Sequence, residues 1–158
     1  MTYKITQLTQ ENAVEIADKW HYDGQYAFYD MTADPEDYEE IVTPKLRQNS
    51  YYQVLADDKL IGFFVIEPAD ENQGSYELGL GMKPNLTGQG KGQEFLQQIL
   101  AFVTSKFAIT ELILDVAEFN VRAQKVYQRL GFIPVKKHQQ ETNNSVYPFI
   151  EMRRKFNR

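Results

Sequence analysis

The segment NLTGQGKGQEFLQQIL, residues 85–100, places three glycines within five positions just before a helix-like sequence. Glycine costs about 1 kcal/mol relative to alanine inside a helix, so Gly88, Gly90 and Gly92 need a reason. The first N–H groups of a helix have no intrahelical acceptor, and the helix dipole adds positive charge there. A bare backbone lets a phosphate approach these groups, and Lys91 adds a full positive charge. The segment therefore predicts a pyrophosphate site, with a ligand-free strand-to-helix turn as the alternative.

Two common phosphate-binding patterns do not fit this segment. The P-loop pattern needs glycine where Asn85 stands, and Ser or Thr where Gly92 stands. The dinucleotide pattern G-x-G-x-x-G needs a third glycine where Gln93 stands. A nucleotide-binding protein is therefore an alternative that the motifs disfavour.

The strand-like segment SYELGLGMKP, residues 75–84, precedes the glycine loop. Its alternate side chains form two faces, which are Leu78, Leu80 and Met82 on one side, and Glu77, Gly79 and Gly81 on the other. Two glycines on one face favour the close approach of a ligand or another backbone. An extended chain of amides could pair with this backbone as an added strand does. Coenzyme A has that chemistry, with a pyrophosphate at one end and an amide-containing arm. The alternative is a bulge with Glu77 as a solvated surface acid.

The remaining sequence predicts alternating strands and helices, closed by local signals such as an N-cap at Thr9 and a C-cap at Gly131. A turn at Asp57–Asp58 joins two strands, and Pro35 opens a helix that we expect to run to about Leu46. Strands are predicted at residues 3–8, 51–68 as a hairpin, 75–84, 111–117, 132–140 and 145–156, and helices at 11–20, 35–46, 90–107 and 120–130. This order predicts a mixed α/β sheet in a single domain spanning residues 1–158.

Composition limits the classes of function. The 158 residues are 42% hydrophobic with a net charge of −5, which disfavours nucleic-acid binding. The chain has no cysteine, so disulfides, thiolate metal sites and a cysteine nucleophile are excluded. We expect no bound metal. We also expect no membrane segment and a cytoplasmic location, because neither a signal peptide nor a long apolar run is present.

A second informative segment is DVAEFNVRAQKVYQRLGF, residues 115–132. Asn120 can cap a helix through its side chain. Tyr127 shares one helix face with Ala123, Val126 and Leu130. Taken singly, these residues are an ordinary cap and an ordinary core tyrosine.

Together, MKPNLTGQGKGQEFL and LDVAEFNVRAQKVYQRLGFIPV resemble the GNAT superfamily of acyl-CoA-dependent N-acyltransferases. The first fits the pattern [RQ]-x-x-G-x-[GA], with Gly90 and Gly92 at the small positions. The second fits N-x-x-A-x-x-x-Y-x-x-x-G-F, from Asn120 to Phe132. The resemblance covers residues 75–136 and implies a mostly antiparallel sheet of about seven strands flanked by four helices. One position departs from the family, because Thr87 stands where Arg or Gln is usual.

The resemblance implies direct transfer of an acetyl group from acetyl-CoA to an amine. Tyr127 resembles the tyrosine that protonates the coenzyme thiolate, and Glu77 the strand carboxylate that serves as base. The backbone N–H groups of Leu80 and Met82 resemble the donors to the thioester carbonyl, and Asn120 the residue that holds the pantetheine arm. The pyrophosphate contacts fall on Gly88, Gln89, Gly90, Lys91, Gly92 and Gln93.

Other contacts stay open at the level of sequence. Arg122 and Lys125 could meet the coenzyme 3′-phosphate, with surface charge as the alternative. The acceptor side falls on residues 20–38, where aromatic and acidic side chains could line a pocket or simply pack on the sheet. The residues concerned are Trp20, Tyr22, Tyr26 and Tyr29, with Asp23 or Asp30 to attract an ammonium group and His21 as a second candidate base. A non-catalytic coenzyme-binding module is the alternative function. The amine and the oligomeric state, a homodimer included, are not specified.

Overall fold

The computed structural model describes residues 1–69 and 72–157, and the strands in this part of the chain form one seven-stranded sheet. The strands are β1 (Tyr3–Gln7), β2 (Tyr51–Ala56), β3 (Lys59–Pro68), β4 (Ser75–Met82), β5 (Glu111–Ala117), β6 (Ile133–Thr142) and β7 (Ser145–Lys155). Their order across the sheet is β1-β2-β3-β4-β5-β7-β6. The helices are α1 (Gln10–Lys19), α2 (Pro35–Val42), α3 (Pro44–Arg47), α4 (Gly92–Lys106) and α5 (Val121–Arg129), with short 3₁₀ turns at Gly24–Tyr29, Met31–Ala33 and Pro84–Leu86.

The sheet is mixed, as predicted. Strand β2 is antiparallel to both β1 and β3, and β5 is antiparallel to β7. Strands β4 and β5 run parallel, and α4 provides the crossover that such a pair requires.

Local signals set several of these boundaries. The Thr9 hydroxyl accepts a hydrogen bond from the N–H of Asn12 at 3.2 Å, which confirms the predicted N-cap of α1. Asp57 and Asp58 have φ angles of 50° and 67°, the left-handed conformation that a tight two-residue hairpin needs. The predicted hairpin is confirmed.

The predicted helix from Pro35 to Leu46 is wrong in its second half. Helix α2 ends at Val42, and a separate short helix, α3, begins at Pro44. Pro44 has no N–H group to continue α2, and its ring disfavours the helical conformation at Thr43, whose φ and ψ are −107° and 106°. The extra helix raises the number of α-helices among the described residues from the predicted four to five.

The chain divides into two compact units. Unit 1 comprises Met1–Val65, Leu80–Leu86 and Glu141–Val146. Its core joins the apolar face of α1 to side chains from α2, β2 and β3, namely Leu8, Ala13, Ile16, Ala17, Trp20, Ile41, Tyr51 and Phe63.

Unit 2 comprises the described residues of Ile66–Gly79, Thr87–Gln140 and Tyr147–Arg158. The apolar side of α4 is buried through Phe95, Leu96, Ile99, Leu100 and Val103. Strand β5 is buried on both faces at most positions, but Asp115 is exposed. No helix among the described residues combines the length and apolar character that crossing a membrane requires.

Candidate active site

The glycine loop of unit 2 has the backbone geometry of an anion-binding cradle. Gly88 and Gly90 have φ angles of +72° and +75°, which L side chains rarely adopt. Lys91 follows in the right-handed conformation, with φ −92° and ψ −8°, and α4 starts at Gly92. A left-handed residue followed by a right-handed one turns successive N–H groups toward one point. Lys91 stands at the N-cap position, and its ammonium group can only donate, so it cannot cap the N-terminal N–H groups of α4.

The three glycines of the loop serve different purposes. A Cβ at Gly88 would lie 2.9 Å from Nη1 of Arg122, so a guanidinium from α5 lies directly over this part of the loop. A Cβ at Gly90 would meet nothing within 4 Å. A Cβ at Gly92 would meet only Val126, at an ordinary 3.5 Å. Gly88 and Gly90 are therefore required by conformation, whereas the position of Gly92 has room for a methyl group.

The polar loop residues predicted to contact the pyrophosphate lie at the surface. Gln89 and Lys91 are exposed and Gln93, in the first turn of α4, is half-buried. Thr87, which departs from the family pattern, is half-buried at the start of the loop. With Nη1 of Arg122 close to Gly88, the loop combines main-chain N–H groups with a cationic side chain from α5.

Strand β4 leaves part of its main chain outside the pairing with β5. Strands β4 and β5 pair over three residues, the last of which is Glu77 opposite Ile113, although β4 continues to Met82. Lys83, just after β4, donates its N–H to the Ile61 carbonyl of β3 at 2.8 Å. The N–H and C=O of one strand residue point to the same side, and that side alternates along the chain. Leu80 and Met82 therefore direct their main-chain groups away from β3.

The bare face predicted on β4 is partly wrong. A Cβ at Gly81 would lie 2.5 Å from Cε1 of Phe63, so the ring of Phe63 already occupies that space. Phe63 is buried and its ring lies 6.2 Å from that of Trp20 in the core of unit 1. Gly81 lacks a side chain because of this aromatic packing, and not to admit a ligand.

Helix α5 presents the two residues of the second motif. The Asn120 side-chain carbonyl accepts from the N–H of Ala123 at 3.1 Å, so this residue does cap the helix. Tyr127 is half-buried, and its ring lies 6.3 Å from that of Phe132. It follows directly on Val126, the residue that contacts the position of Gly92. The second motif thus packs Val126, next to Tyr127 in the sequence, against the start of α4 within unit 2.

Glu77, the predicted base, lies on β4 opposite Ile113 and its side chain is exposed.

A polar pair on β5 and β6, on the same face of the sheet as Glu77, was not predicted from the sequence. His138 of β6 contacts both carboxylate oxygens of Asp115 through Nε2, at 2.8 and 3.0 Å. Partial burial of the carboxylate raises the pKa of Asp115, and the hydrogen bond from His138 opposes that effect. No short-range pattern signals this pair, because 23 residues separate its members.

The aromatic segment after α1 belongs to unit 1 and is tied to β4. The Tyr22 hydroxyl donates to the Met82 carbonyl at 2.7 Å. Asp30 accepts from the N–H of Tyr22 at 2.8 Å and contacts Nδ1 of His21 at 2.9 Å. The hydrogen bond with Asp30 raises the pKa of His21. Trp20 is 4% exposed and packs in the core, so it does not line an open pocket.

The tip of the β6–β7 hairpin also contacts this segment, which the sequence analysis did not predict. The Asp34 carboxylate accepts from the N–H of Asn143 at 3.0 Å and from the Thr142 hydroxyl at 2.9 Å. The Asn143 side chain donates to the Phe28 carbonyl at 2.9 Å. These contacts join positions more than 100 residues apart, so no local pattern reports them.

Comparisons with known proteins identify the family and the fold. The family profile described as an acetyltransferase (GNAT) domain matches residues 4–133. Acetyltransferase PseH of Campylobacter jejuni is 30% identical over 136 residues, covering 82% of this chain and 83% of that protein. An uncharacterized N-acetyltransferase of Bacillus subtilis, YbbJ, is 29% identical over 89 residues, or 51% of this chain and 56% of that protein.

Solved structures show the same fold at low sequence identity. The aminoglycoside acetyltransferase AAC(6′)-Ib in complex with coenzyme A superposes with a TM-score of 0.74 at 15% identity, over 98% of this chain and 95% of that one. A chimera of the spermidine N-acetyltransferase SpeG from Vibrio cholerae and hSSAT superposes with a TM-score of 0.72 at 16% identity, over 98% and 96%. With the family profile spanning most of its length, this chain belongs to the GNAT family of acetyltransferases.

Proposed function

We propose that this protein is an N-acetyltransferase that transfers an acetyl group from acetyl-CoA directly to a primary amine. The observation that carries the proposal is the loop of unit 2, where left-handed Gly88 and Gly90 lead into the N-terminus of α4 beneath the Arg122 guanidinium. A pyrophosphate requires convergent N–H groups, positive charge and no obstructing side chain. The loop offers these three features, and the coenzyme A complexes among the solved relatives support the same choice of ligand.

The residues that would hold the coenzyme follow from their placement. The N–H groups between Gly88 and Gln93 would bind the pyrophosphate, with Gln89 and Lys91 at the exposed rim. Arg122 would neutralise phosphate charge, and Lys125, exposed on the same helix, is the second candidate for the 3′-phosphate. Because the Asn120 carbonyl oxygen caps α5, a contact of Asn120 with the pantetheine arm would come from its side-chain amide N–H.

The chemistry has three requirements, and this chain has a candidate for each of them. The thioester supplies an activated acetyl group and a thiolate leaving group. The N–H groups of Leu80 and Met82, directed away from β3, would donate to the carbonyl oxygen as negative charge develops on it. Tyr127 would donate a proton to the leaving thiolate, and Glu77 would accept the proton that the amine loses, directly or through water.

The acceptor is an amine in this proposal. Two solved relatives are named for spermidine and for aminoglycosides, both of which carry amino groups. In unit 1, residues 21–34 form the segment that we propose as one wall of the acceptor site, with Tyr22, Tyr26 and Tyr29 half-buried in it. Asp30 is engaged with His21 and Tyr22, so Asp23, which is exposed, is the stronger candidate for an ammonium contact.

The test is a two-stage assay. Thermal unfolding with coenzyme A, ATP or NAD identifies the ligand class, because a ligand of the native state raises the melting temperature. Free-thiol release from acetyl-CoA in the presence of a mixed amine library, followed by mass spectrometry of the product, identifies the acceptor. We expect stabilisation by coenzyme A and amine-dependent thiol release. Tight coenzyme binding with no release for any amine would favour a non-catalytic coenzyme-binding module, and stronger stabilisation by ATP or NAD would contradict both.

A further inference from the structure

The main-chain carbonyl of Met82 has an unusual acceptor role at the end of β4. Its direction away from β3 follows from the Lys83-to-Ile61 hydrogen bond, as described above. This carbonyl accepts from a side chain of a distant segment, through the 2.7 Å bond from the Tyr22 hydroxyl. The same stretch of β4 carries the N–H groups of Leu80 and Met82. The position of these groups in unit 1 therefore depends on what holds the Met82 peptide.

Tyr22 is well suited to hold that peptide rigidly. Burial first, and the charge of Asp30 second, raise the pKa of Tyr22, so the phenol keeps its proton and remains a donor. A carbonyl oxygen can only accept, so the direction of this hydrogen bond is fixed. The Tyr22 main chain is held in turn, because its N–H donates to Oδ1 of Asp30.

The support for Tyr22 extends back to α1. The other carboxylate oxygen of Asp30 contacts Nδ1 of His21, and Nε2 of His21 lies 3.0 Å from the carbonyl oxygen of Asp18, near the end of α1. A continuous series of hydrogen bonds thus runs from α1 through His21, Asp30 and Tyr22 to β4. Gly81, the residue before Met82, packs against the Phe63 ring. The end of β4 is therefore held both by this packing and by the hydrogen bond from Tyr22.

From this arrangement we infer that Tyr22 is a positioning residue for the acetyl-transfer step, which holds Met82 so that the N–H groups of Leu80 and Met82 face the thioester carbonyl. The inference rests on the proposed function. The effect of Tyr22 is exerted through the end of β4, by its hydrogen bond to the Met82 carbonyl. The carbonyl of Met82 and the N–H of Lys83 form one peptide group, whereas the N–H of Met82 belongs to the preceding peptide group. The Tyr22 hydrogen bond therefore positions the Met82 N–H and does not polarise it directly.

Tyr22→Phe tests the inference, because it removes the hydroxyl and keeps the ring. Tyr51→Phe is the matched control, since the Tyr51 hydroxyl donates to Oε2 of Glu40 in the same unit, and Tyr51 lies on β2, which pairs with β1 and β3. We expect Tyr22→Phe to lower kcat and kcat/KM for acetyl-CoA by the same factor, about tenfold, because displaced N–H groups of Leu80 and Met82 would weaken a hydrogen bond to the carbonyl oxygen that counts mainly in the transition state. The KM for acetyl-CoA and the stabilisation by coenzyme A should not change. Tyr51→Phe should leave all these quantities at the wild-type level.

Two further measurements separate positioning from folding. Kinetics are recorded at a temperature at which circular dichroism shows each variant to be folded, so partial unfolding does not mimic a loss of kcat. Hydrogen exchange of a peptide covering Leu80–Leu86 should be faster in Tyr22→Phe and unchanged in Tyr51→Phe. Equal kcat values for the two variants, or a loss confined to KM, would overturn the inference. If the proposed function is wrong, the wild-type protein itself will show no amine-dependent thiol release. That result would remove the basis of the inference as well.

Discussion

The ring of Phe63 occupies the space that a side chain at position 81 would fill, with Cε1 2.5 Å from the place of a Cβ on Gly81. Both residues belong to the part of unit 1 in which Phe63 packs near Trp20. One of the two glycines that suggested a ligand-facing patch on β4 is thus explained by the core of the protein itself.

Gly81→Ala should therefore destabilise the fold. Overpacking a well-packed site costs about 1–3 kcal/mol, and a phenyl ring held in a core cannot move aside as a flexible side chain can. Urea unfolding of Gly81→Ala, Phe63→Leu and the double variant measures the coupling between the two positions. We expect the alanine to cost less in the Phe63→Leu background, and a cost that is equal in both backgrounds would contradict the packing explanation.

Gly90 and Gly92 should differ in their effect on coenzyme binding. A valine at Gly90 would place a branched side chain on a left-handed backbone in the proposed pyrophosphate cradle, so the rise in melting temperature with coenzyme A should disappear. Gly92→Ala is the control, because its methyl group meets Val126 at an ordinary 3.5 Å. Differential scanning fluorimetry over a coenzyme A titration measures both. Retained stabilisation in Gly90→Val would argue against the cradle.

Tyr127→Phe should separate binding from chemistry. If Tyr127 protonates the leaving thiolate, its loss should lower kcat by about 10²- to 10⁴-fold and leave stabilisation by coenzyme A intact. Tyr76→Phe removes another hydroxyl in unit 2, from a ring that lies 5.5 Å from that of Phe107. The measurement is thiol release at saturating acetyl-CoA. Similar kcat values for the two variants would remove Tyr127 from the proton-transfer step.

Glu77→Gln should slow the reaction with the amine. A side-chain base contributes about 10²- to 10⁴-fold, so kcat/KM for the amine should fall within that range while coenzyme binding persists. Asp58→Asn is the charge-matched control, since Asp58 lies in the β2–β3 turn with φ 67°, a conformation that Asn also adopts. Activity of Glu77→Gln that recovers at high pH, where the amine is already neutral, would support the role of a base. A variant as active as Asp58→Asn at every pH would exclude that role.

Asp34 should make the stability of the fold depend on pH at the acid end. The N–H of Asn143 is the largest cause of the lowered pKa of Asp34, and the Thr142 hydroxyl and the first N–H groups of α2 act in the same direction. Because the folded-state pKa lies below the unfolded one, this stabilisation is present above about pH 4 and is lost as the pH falls through the folded value. Asp34→Asn can still cap α2 but cannot titrate.

Thermal unfolding between about pH 6 and pH 2 compares the two proteins. The wild-type protein should lose more stability on acidification than Asp34→Asn does. Glu36→Gln, at an exposed acid on the same helix, should follow the wild-type curve. Parallel curves for the wild type and Asp34→Asn would show that the contacts of Asp34 with the hairpin tip contribute no pH-dependent stability.

Local sequence was sufficient for most of the secondary structure. The cap at Thr9, the Asp57–Asp58 turn and the limits of β5 follow from periodicity and turn chemistry, which act over a few residues. The predicted helix past Val42 was wrong because Pro44 ends α2, a local signal that the prediction did not use. Within the glycine loop, the sequence indicated the bare backbone but not the left-handed angles at Gly88 and Gly90 or the guanidinium above them.

The sequence by itself determined the family, the order of strands and helices, and the short motifs that carry Gly88–Gly92 and Asn120–Tyr127. Only the tertiary structure decided that Phe63 fills the space at Gly81, that Tyr22 holds Met82, and that Asp34 receives the hairpin tip at Asn143. The physical reason is the range of the interactions. Turn conformations and helix caps depend on neighbours a few residues away, whereas a ring against a glycine or a hydroxyl on a distant carbonyl depends on how the folded chain brings remote segments into contact.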